Sequence, residues 1–191
     1  GIAQVEREAQ RLDPSRRVPG LEGVPDLLRL LGPLDAIEVA ARLPPPAAQS
    51  QDASAGVAPS PTDAESDAGT HGAASAFLDQ LVAARRAIRV SVGGVERVAA
   101  IEDAGRLRDA LGAALPVGIP LAFLEPVADP LADLVARYAR THGPFRTADV
   151  ARRLGVGGAV ARQALQRLES QGRVASGFFL PEGAIRHEEH T

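Results

Sequence analysis

The sequence predicts a mainly α chain with small β-hairpins, an α+β class, assembled from two copies of one three-helix unit. Three observations carry this: a segment that occurs twice, apolar residues at helical spacing around each copy, and a Gly-Gly turn between alternating strands. Gly32-Pro33-Leu34-Asp35-Ala36-Ile37-Glu38-Val39-Ala40-Ala41-Arg42-Leu43 matches Gly143-Pro144-Phe145-Arg146-Thr147-Ala148-Asp149-Val150-Ala151-Arg152-Arg153-Leu154, with six of twelve positions identical.

Taken in order, Ile2, Val5, Ala9 and Leu12 fall on one face and predict an N-terminal helix. Leu27, Leu28 and Leu31 give the helix ahead of the first copy, as Leu131, Leu134, Val135 and Tyr138 do ahead of the second. Behind the first copy, Phe77, Leu78, Leu81 and Val82 mark a third helix; behind the second, Val160, Ala164, Leu165 and Leu168 are expected to face the core. Ile88, Val90 and Val92 alternate with Arg89 and Ser91, Gly93-Gly94 supplies the positive φ of a tight turn, and Val95 to Ile101 returns. A second, shorter hairpin is expected from Arg173 to Ala175, a Ser176-Gly177 turn, and Phe178 to Leu180. Three helices and a two-stranded wing make a winged-helix unit, so a tandem of such units is predicted.

The interval from Leu43 to Leu78 is 35 residues, against 11 from Leu154 to Leu165, and the excess of 24 falls in Pro44 to Ser75. That stretch is rich in Pro, Ser, Gln, Asp and Gly, with Val57 its only branched aliphatic and only acidic charges. It is expected to be a mobile, dispensable insertion, because it buries too little apolar surface to offset its ordering entropy. The expected organisation is an N-terminal helix and linker over 1–23, unit one over 24–112 carrying the insertion 44–75, and a Pro-rich connector over 113–128. Unit two follows over 129–181, and a frayed tail over 182–191. A helix from Glu102 to Leu111 closes unit one.

Composition narrows the chemistry. Cysteine is absent, which excludes a disulfide framework, a thiol nucleophile and a Cys-based zinc site. No apolar run approaches the roughly 18 residues that span a membrane, so no membrane partner and a cytoplasmic location are expected. The chain starts at Gly1 and holds no Met, as expected of a piece of something longer. All 21 basic residues are Arg, which with the Ala, Gly and Pro content fits a GC-rich genome.

The connector and second unit resemble the C-terminal region of bacterial Lhr-type (large helicase-related) proteins. The residues carrying the resemblance are Ala114-Leu115-Pro116-Val117-Gly118-Ile119-Pro120, Phe123 to Leu131, and Asp133 to Phe145, with weaker similarity over Val24 to Leu43 and Phe77 to Leu111. The resemblance implies an ATP-dependent superfamily-2 nucleic-acid helicase with a long extension of winged-helix modules. That extension is also similar to winged-helix DNA glycosylases acting on crosslinked bases. The chain has no Gly-rich Lys loop for phosphates and no Asp-Glu box. The resemblance therefore implies that ATP and Mg belong to the parent, with no cofactor, no nucleotide hydrolysis and no small-molecule ligand in this chain. Past Pro181 the further basic region expected of the family is missing.

No Ser-His-Asp or paired-carboxylate arrangement points to a catalytic residue, and His187-Glu188-Glu189-His190 has the wrong spacing for the zinc motif it superficially resembles. His142, at a helix end ahead of Gly143-Pro144, is expected to cap that helix. Charge points instead to DNA or RNA contact by unit two: residues 129–180 hold eight Arg against four acids, whereas residues 1–128 hold twelve against seventeen. Arg162, Gln163, Gln166 and Arg167 should lie on the outer faces of unit two's third helix, with Arg152 and Arg153 on the helix before it. Arg and Gln are the types that pair with phosphates and base edges. Replacing Arg162 and Arg167 is expected to weaken binding, and replacing Arg85 and Arg86 to do little. The other expected partner is the remainder of the parent helicase. Two alternatives stand beside this reading: a free-standing winged-helix transcription regulator and a glycosylase-like DNA repair module.

Overall fold

The computed structural model describes residues 1–18, 20–45 and 63–177. Expectations placed on residues 46–62, on Phe178 to Leu180 and on the tail with His187 and His190 lie outside the described residues. The helices are α1 (Ile2–Ala9), α2 (Gly20–Leu31), α3 (Ala36–Ala40), α4 (Asp63–Ala83), α5 (Ala104–Leu111), α6 (Pro130–Thr141), α7 (Thr147–Leu154) and α8 (Gly158–Ser170). Strands β1 (Ala87–Val92) and β2 (Val95–Ala100) form one antiparallel hairpin. The chain is thus mostly helical with a small two-stranded sheet, as the sequence predicts.

Each repeated segment forms the same local structure. A glycine-proline corner ends one helix, and an acid three residues into the next reaches back to its N-terminal backbone. In the first copy the Glu38 carboxylate accepts from the Asp35 N–H at 3.0 Å, and Asp35 accepts from the Glu38 N–H at 2.8 Å. In the second, Asp149 accepts from the Arg146 N–H at 3.0 Å. Leu34 extends the hairpin by exchanging backbone bonds of 2.9 and 2.8 Å with Val98.

The hairpin partitions two apolar clusters. Strand side chains alternate in direction; one face is covered along its length, and the other at the open end of the hairpin, with Arg89, Ser91 and Glu96 exposed towards the tip. Ile88, Val90, Val92 and Ala99 pack with Leu107, Val135, Val150 and Leu168 of α5 to α8. Ala87, Val98 and Ala100 pack with Val24, Leu27, Val39 and Leu81 of α2 to α4. At the hairpin tip, a Cβ on Gly155, which ends α7 at φ +67°, would lie 2.5 Å from the Gly93 Cα. The first wing therefore seats its tip against the α7–α8 turn rather than projecting into solvent.

Charge ties the two halves together on the other side. Asp103, 3% exposed, accepts both Nη atoms of Arg137 on α6 at 2.6 and 2.8 Å and Arg106 Nη1 at 2.6 Å.

Three expectations are corrected. Residues 63–75 are not part of a loop: α4 starts at Asp63, and Ala74 is fully buried against the first cluster. The Ala content there supports helix, and packing of α4 on α3 outweighs the Gly and Ser that read as loop. On α8, Val160 is 45% exposed and Ala161 is fully buried. The buried stripe is Ala161, Ala164 and Leu168, with Leu165 half-buried beside them, together the i, i+3, i+4, i+7 set. Arg173 to Ala175 forms no strand among the described residues; the chain folds back on α8, where Glu169 accepts from the Ser176 N–H at 3.1 Å and its Oγ at 2.5 Å.

Candidate nucleic-acid interface

The outer side of α8 carries three of the five expected site residues together. With Ala161, Ala164 and Leu168 turned fully inward, Arg162, Gln163 and Gln166 are exposed. None of the three side chains has a hydrogen-bond or ion-pair partner among the described residues. Beside them runs a groove of about 600 Å³ between the end of α6, α8 and residues 173–177. Phe145, Leu165 and Val174 line its apolar part, and Arg140, Arg162 and Arg173 supply its charge. Its one lining carboxylate among the described residues, Glu169, is taken by Ser176, whose side-chain and backbone bonds hold it below the usual carboxylate range.

The other two expected residues do not join this set. Arg167 bonds Asp129 through Nε at 2.9 Å and Nη2 at 3.3 Å. Burial pushes the Asp129 carboxyl up, but the bonds from Arg167 and the Ala132 N–H outweigh it and hold it below its ordinary value. Arg152 sits at the end of α7, away from the groove, and bonds Asp149 at 2.8 Å. Arg153, expected to point outward, turns into the junction of the two repeats. It bonds the Glu38 carboxylate through both Nη atoms and the Pro33 carbonyl at 2.8 Å. Sequence reasoning missed Arg140 and Arg173, because only the fold brings the end of α6 and the segment after α8 to one groove.

His142 ends α6 as expected. Its backbone N–H donates to the Tyr138 carbonyl at 3.1 Å, and its ring stacks on Tyr138 with centroids 3.6 Å apart. Burial pushes its pKa down from the ordinary 6.5.

Glu38 carries a pH consequence. Burial raises its pKa, but bonds from Arg153 and the Asp35 N–H, with the Arg153 and Arg97 charges, leave it below the ordinary 4.5. A depressed folded pKa gives stability that is present above the unfolded value and lost as pH falls through the folded one. Urea unfolding at pH 7 and at about pH 3 should therefore show a larger acid loss in the parent than in Glu38→Gln. Equal losses would mean that Glu38 contributes nothing to the acid limb.

Comparison with known proteins meets this geometry. Residues 1–126 match the family model of the large helicase-related protein winged-helix domain. The chain belongs to the large helicase-related (Lhr) family. It is 40% identical over 178 residues, 93% of its length, to the Lhr helicase/probable uracil glycosylase of Mycolicibacterium smegmatis. It is 36% identical over 173 residues, 91% of its length, to the Lhr helicase/uracil glycosylase of Escherichia coli. In each case it spans 10% of the relative's length. The family match covers the first repeat and the connector, while the two Lhr relatives extend through the second. These matches do not favour a free-standing transcription regulator. Among the described residues, no helix is long and apolar enough to cross a membrane.

Proposed function

We propose that this chain is a nucleic-acid-holding segment of an Lhr-type helicase, with two copies of a three-helix unit, the first carrying the wing and the second gripping the backbone of DNA or RNA. The observation that carries the reading is the α8 face: Arg162, Gln163 and Gln166, unpaired among the described residues, beside a groove charged by Arg140 and Arg173. Winged-helix units present this third helix to nucleic acid. A helicase has to hold strands of any sequence, which favours phosphate contact over base readout. ATP hydrolysis with Mg belongs, in this reading, to the remainder of the parent. The first unit is the poorer candidate: its wing tip rests on Gly155, and Asp79, on its third helix, pairs with Arg89. The glycosylase named for the two relatives is not assigned to any residue here.

The test is fluorescence anisotropy with labelled single-stranded and duplex oligonucleotides at two salt concentrations. Arg162→Ala with Arg173→Ala should weaken binding about equally for unrelated sequences, each lost contact flattening the salt slope by ~0.7 to 0.9. Arg167→Ala, already neutralised by Asp129, should change binding less than Arg162→Ala. If the Arg162/Arg173 double variant binds like the parent, the groove is not the interface.

A further inference from the structure

A second basic cavity lies where the two repeats meet, away from the α8 groove. It has a volume of about 530 Å³ and is lined by Arg42, Arg97, Arg137, Arg152 and Arg153, with Glu38 and Asp149 as its lining carboxylates. The charges do not balance. Arg137 is matched by Asp103 and Arg152 by Asp149. That leaves Arg42, Arg97 and Arg153 around the Glu38 carboxylate, with Asp35 attracting Arg42 and Arg97 more weakly from outside the cavity lining.

Their hydrogen bonds show where counter-charge is missing. Arg153 takes the Glu38 carboxylate directly. Arg42, 7% exposed, gives its protons to neutral oxygens: the Gln10 carbonyl at 2.8 Å, the Glu38 carbonyl at 2.6 Å and Gln10 Oε1 at 3.3 Å. Arg97, with a side chain 11% exposed, gives Nη1 to the Val92 carbonyl at 2.7 Å. Its Nε is buried without a hydrogen-bond partner and lies 3.8 Å from Glu38. Carbonyl groups satisfy donors without cancelling charge, so the Arg42 and Arg97 charges are only partly compensated, by Glu38 and Asp35, in a partly buried space. Burial pushes both the Arg42 and the Arg97 guanidinium down, and the Arg153 charge adds to this, while Glu38 and Asp35 oppose it.

We propose that this inter-repeat cavity binds a phosphate dianion. A surplus of guanidinium charge in a partly buried space suits phosphate, which carries about two negative charges at pH 7, better than a singly charged carboxylate. Guanidinium forks also suit phosphate oxygens better than point cations do. Such a dianion has two sources, free phosphate or the terminal phosphate of a strand. The site is independent of the α8 reading: it shares no residue with the groove, and the failure of one leaves the other standing.

The test uses the whole chain. Thermal midpoints are read in increasing sodium phosphate against sodium chloride at matched ionic strength and pH 7, with ³¹P line broadening as a second readout. Phosphate should raise the midpoint beyond chloride and saturate. Arg97→Gln should abolish that increment, a loss of one charge-assisted contact being worth about tenfold or more in affinity. Glu38→Gln removes the competing carboxylate and should tighten phosphate binding, which serves as the deciding arm if the Arg97 variant does not fold. Arg162→Ala should leave the increment intact. A 5′-phosphorylated oligonucleotide that displaces phosphate where its 5′-hydroxyl twin does not identifies a strand end; displacement by neither identifies free phosphate. The proposal is overturned if phosphate and chloride act alike, if a folded Arg97→Gln variant keeps the increment, or if Glu38→Gln weakens binding.

Discussion

Gly155→Ala should destabilise the chain by about 3 kcal/mol or more, through a strained backbone conformation and an overpacked contact. At 191 residues that corresponds to a midpoint about 6 to 12 °C lower. Two effects add. Gly155 has φ +67°, a region that alanine enters at a penalty, and its new Cβ would lie 2.5 Å from Gly93 Cα and 2.7 Å from Gly93 N. Those are backbone atoms of a tight turn and cannot swing aside as a side-chain tip would. Gly172 separates the two effects: it also has φ +67°, but a Cβ there meets nothing within 4 Å. Gly172→Ala should therefore lose only about 1 kcal/mol. The comparison is made by urea unfolding followed by circular dichroism. Equal losses in the two variants would show that the wing tip is not seated on the α7–α8 turn.

Asp103→Ala should destabilise by about 3 to 5 kcal/mol, the range for removing one partner of a buried ion pair. The Asp103 side chain is 5% exposed and serves Arg106 and Arg137 together, and the Arg137 side chain is itself only 13% exposed. Truncation leaves the Arg137 guanidinium facing an apolar neighbour, while Arg106 keeps Asp133 at 3.4 Å. The same chemistry at the surface gives the scale: Asp26 pairs with Arg29 at 3.0 Å, but its side chain is 79% exposed. Asp26→Ala should change stability by less than about 1 kcal/mol. Adding Arg137→Met to Asp103→Ala should recover part of the loss, because the buried charge goes with its partner. A loss in Asp103→Ala no larger than in Asp26→Ala would refute the claim that this pair joins the halves.

What was readable from sequence was local. The repeat around Val39 and Val150 stood out through six identities, and its structural meaning, a corner followed by an acid-capped helix, is set within a few residues. Gly93-Gly94 between alternating Val and Ile marked the hairpin for the same reason. The misses all depended on what lies opposite. Residues 63–75 become helix because α3 gives Ala74 a surface to bury against. The Val160 and Ala161 assignment turned on about 100° of helix rotation, which small residues define poorly. Arg153 looked like a solvated partner of Arg152 until Glu38, 115 positions earlier, came to face it. Of the five expected interface residues, Arg162, Gln163 and Gln166 sit together on α8, while Arg152 and Arg167 carry their own counter-ions.

The hairpin shared by the two apolar clusters also fixes what counts as the smallest autonomous piece of this chain. A cut between the repeats, near where the family match ends at residue 126, would leave Ile88, Val90 and Val92 facing water on one fragment. The other fragment would hold α6 to α8 without the wall they pack on. At about 1.5 to 3 kcal/mol for each aliphatic side chain kept from water, those three positions alone rival the whole stability of a small domain. The repeat is therefore a unit of sequence but not of melting. The thermodynamic domain straddles both copies, and a heat-capacity trace of the intact chain is expected to contain one peak rather than two.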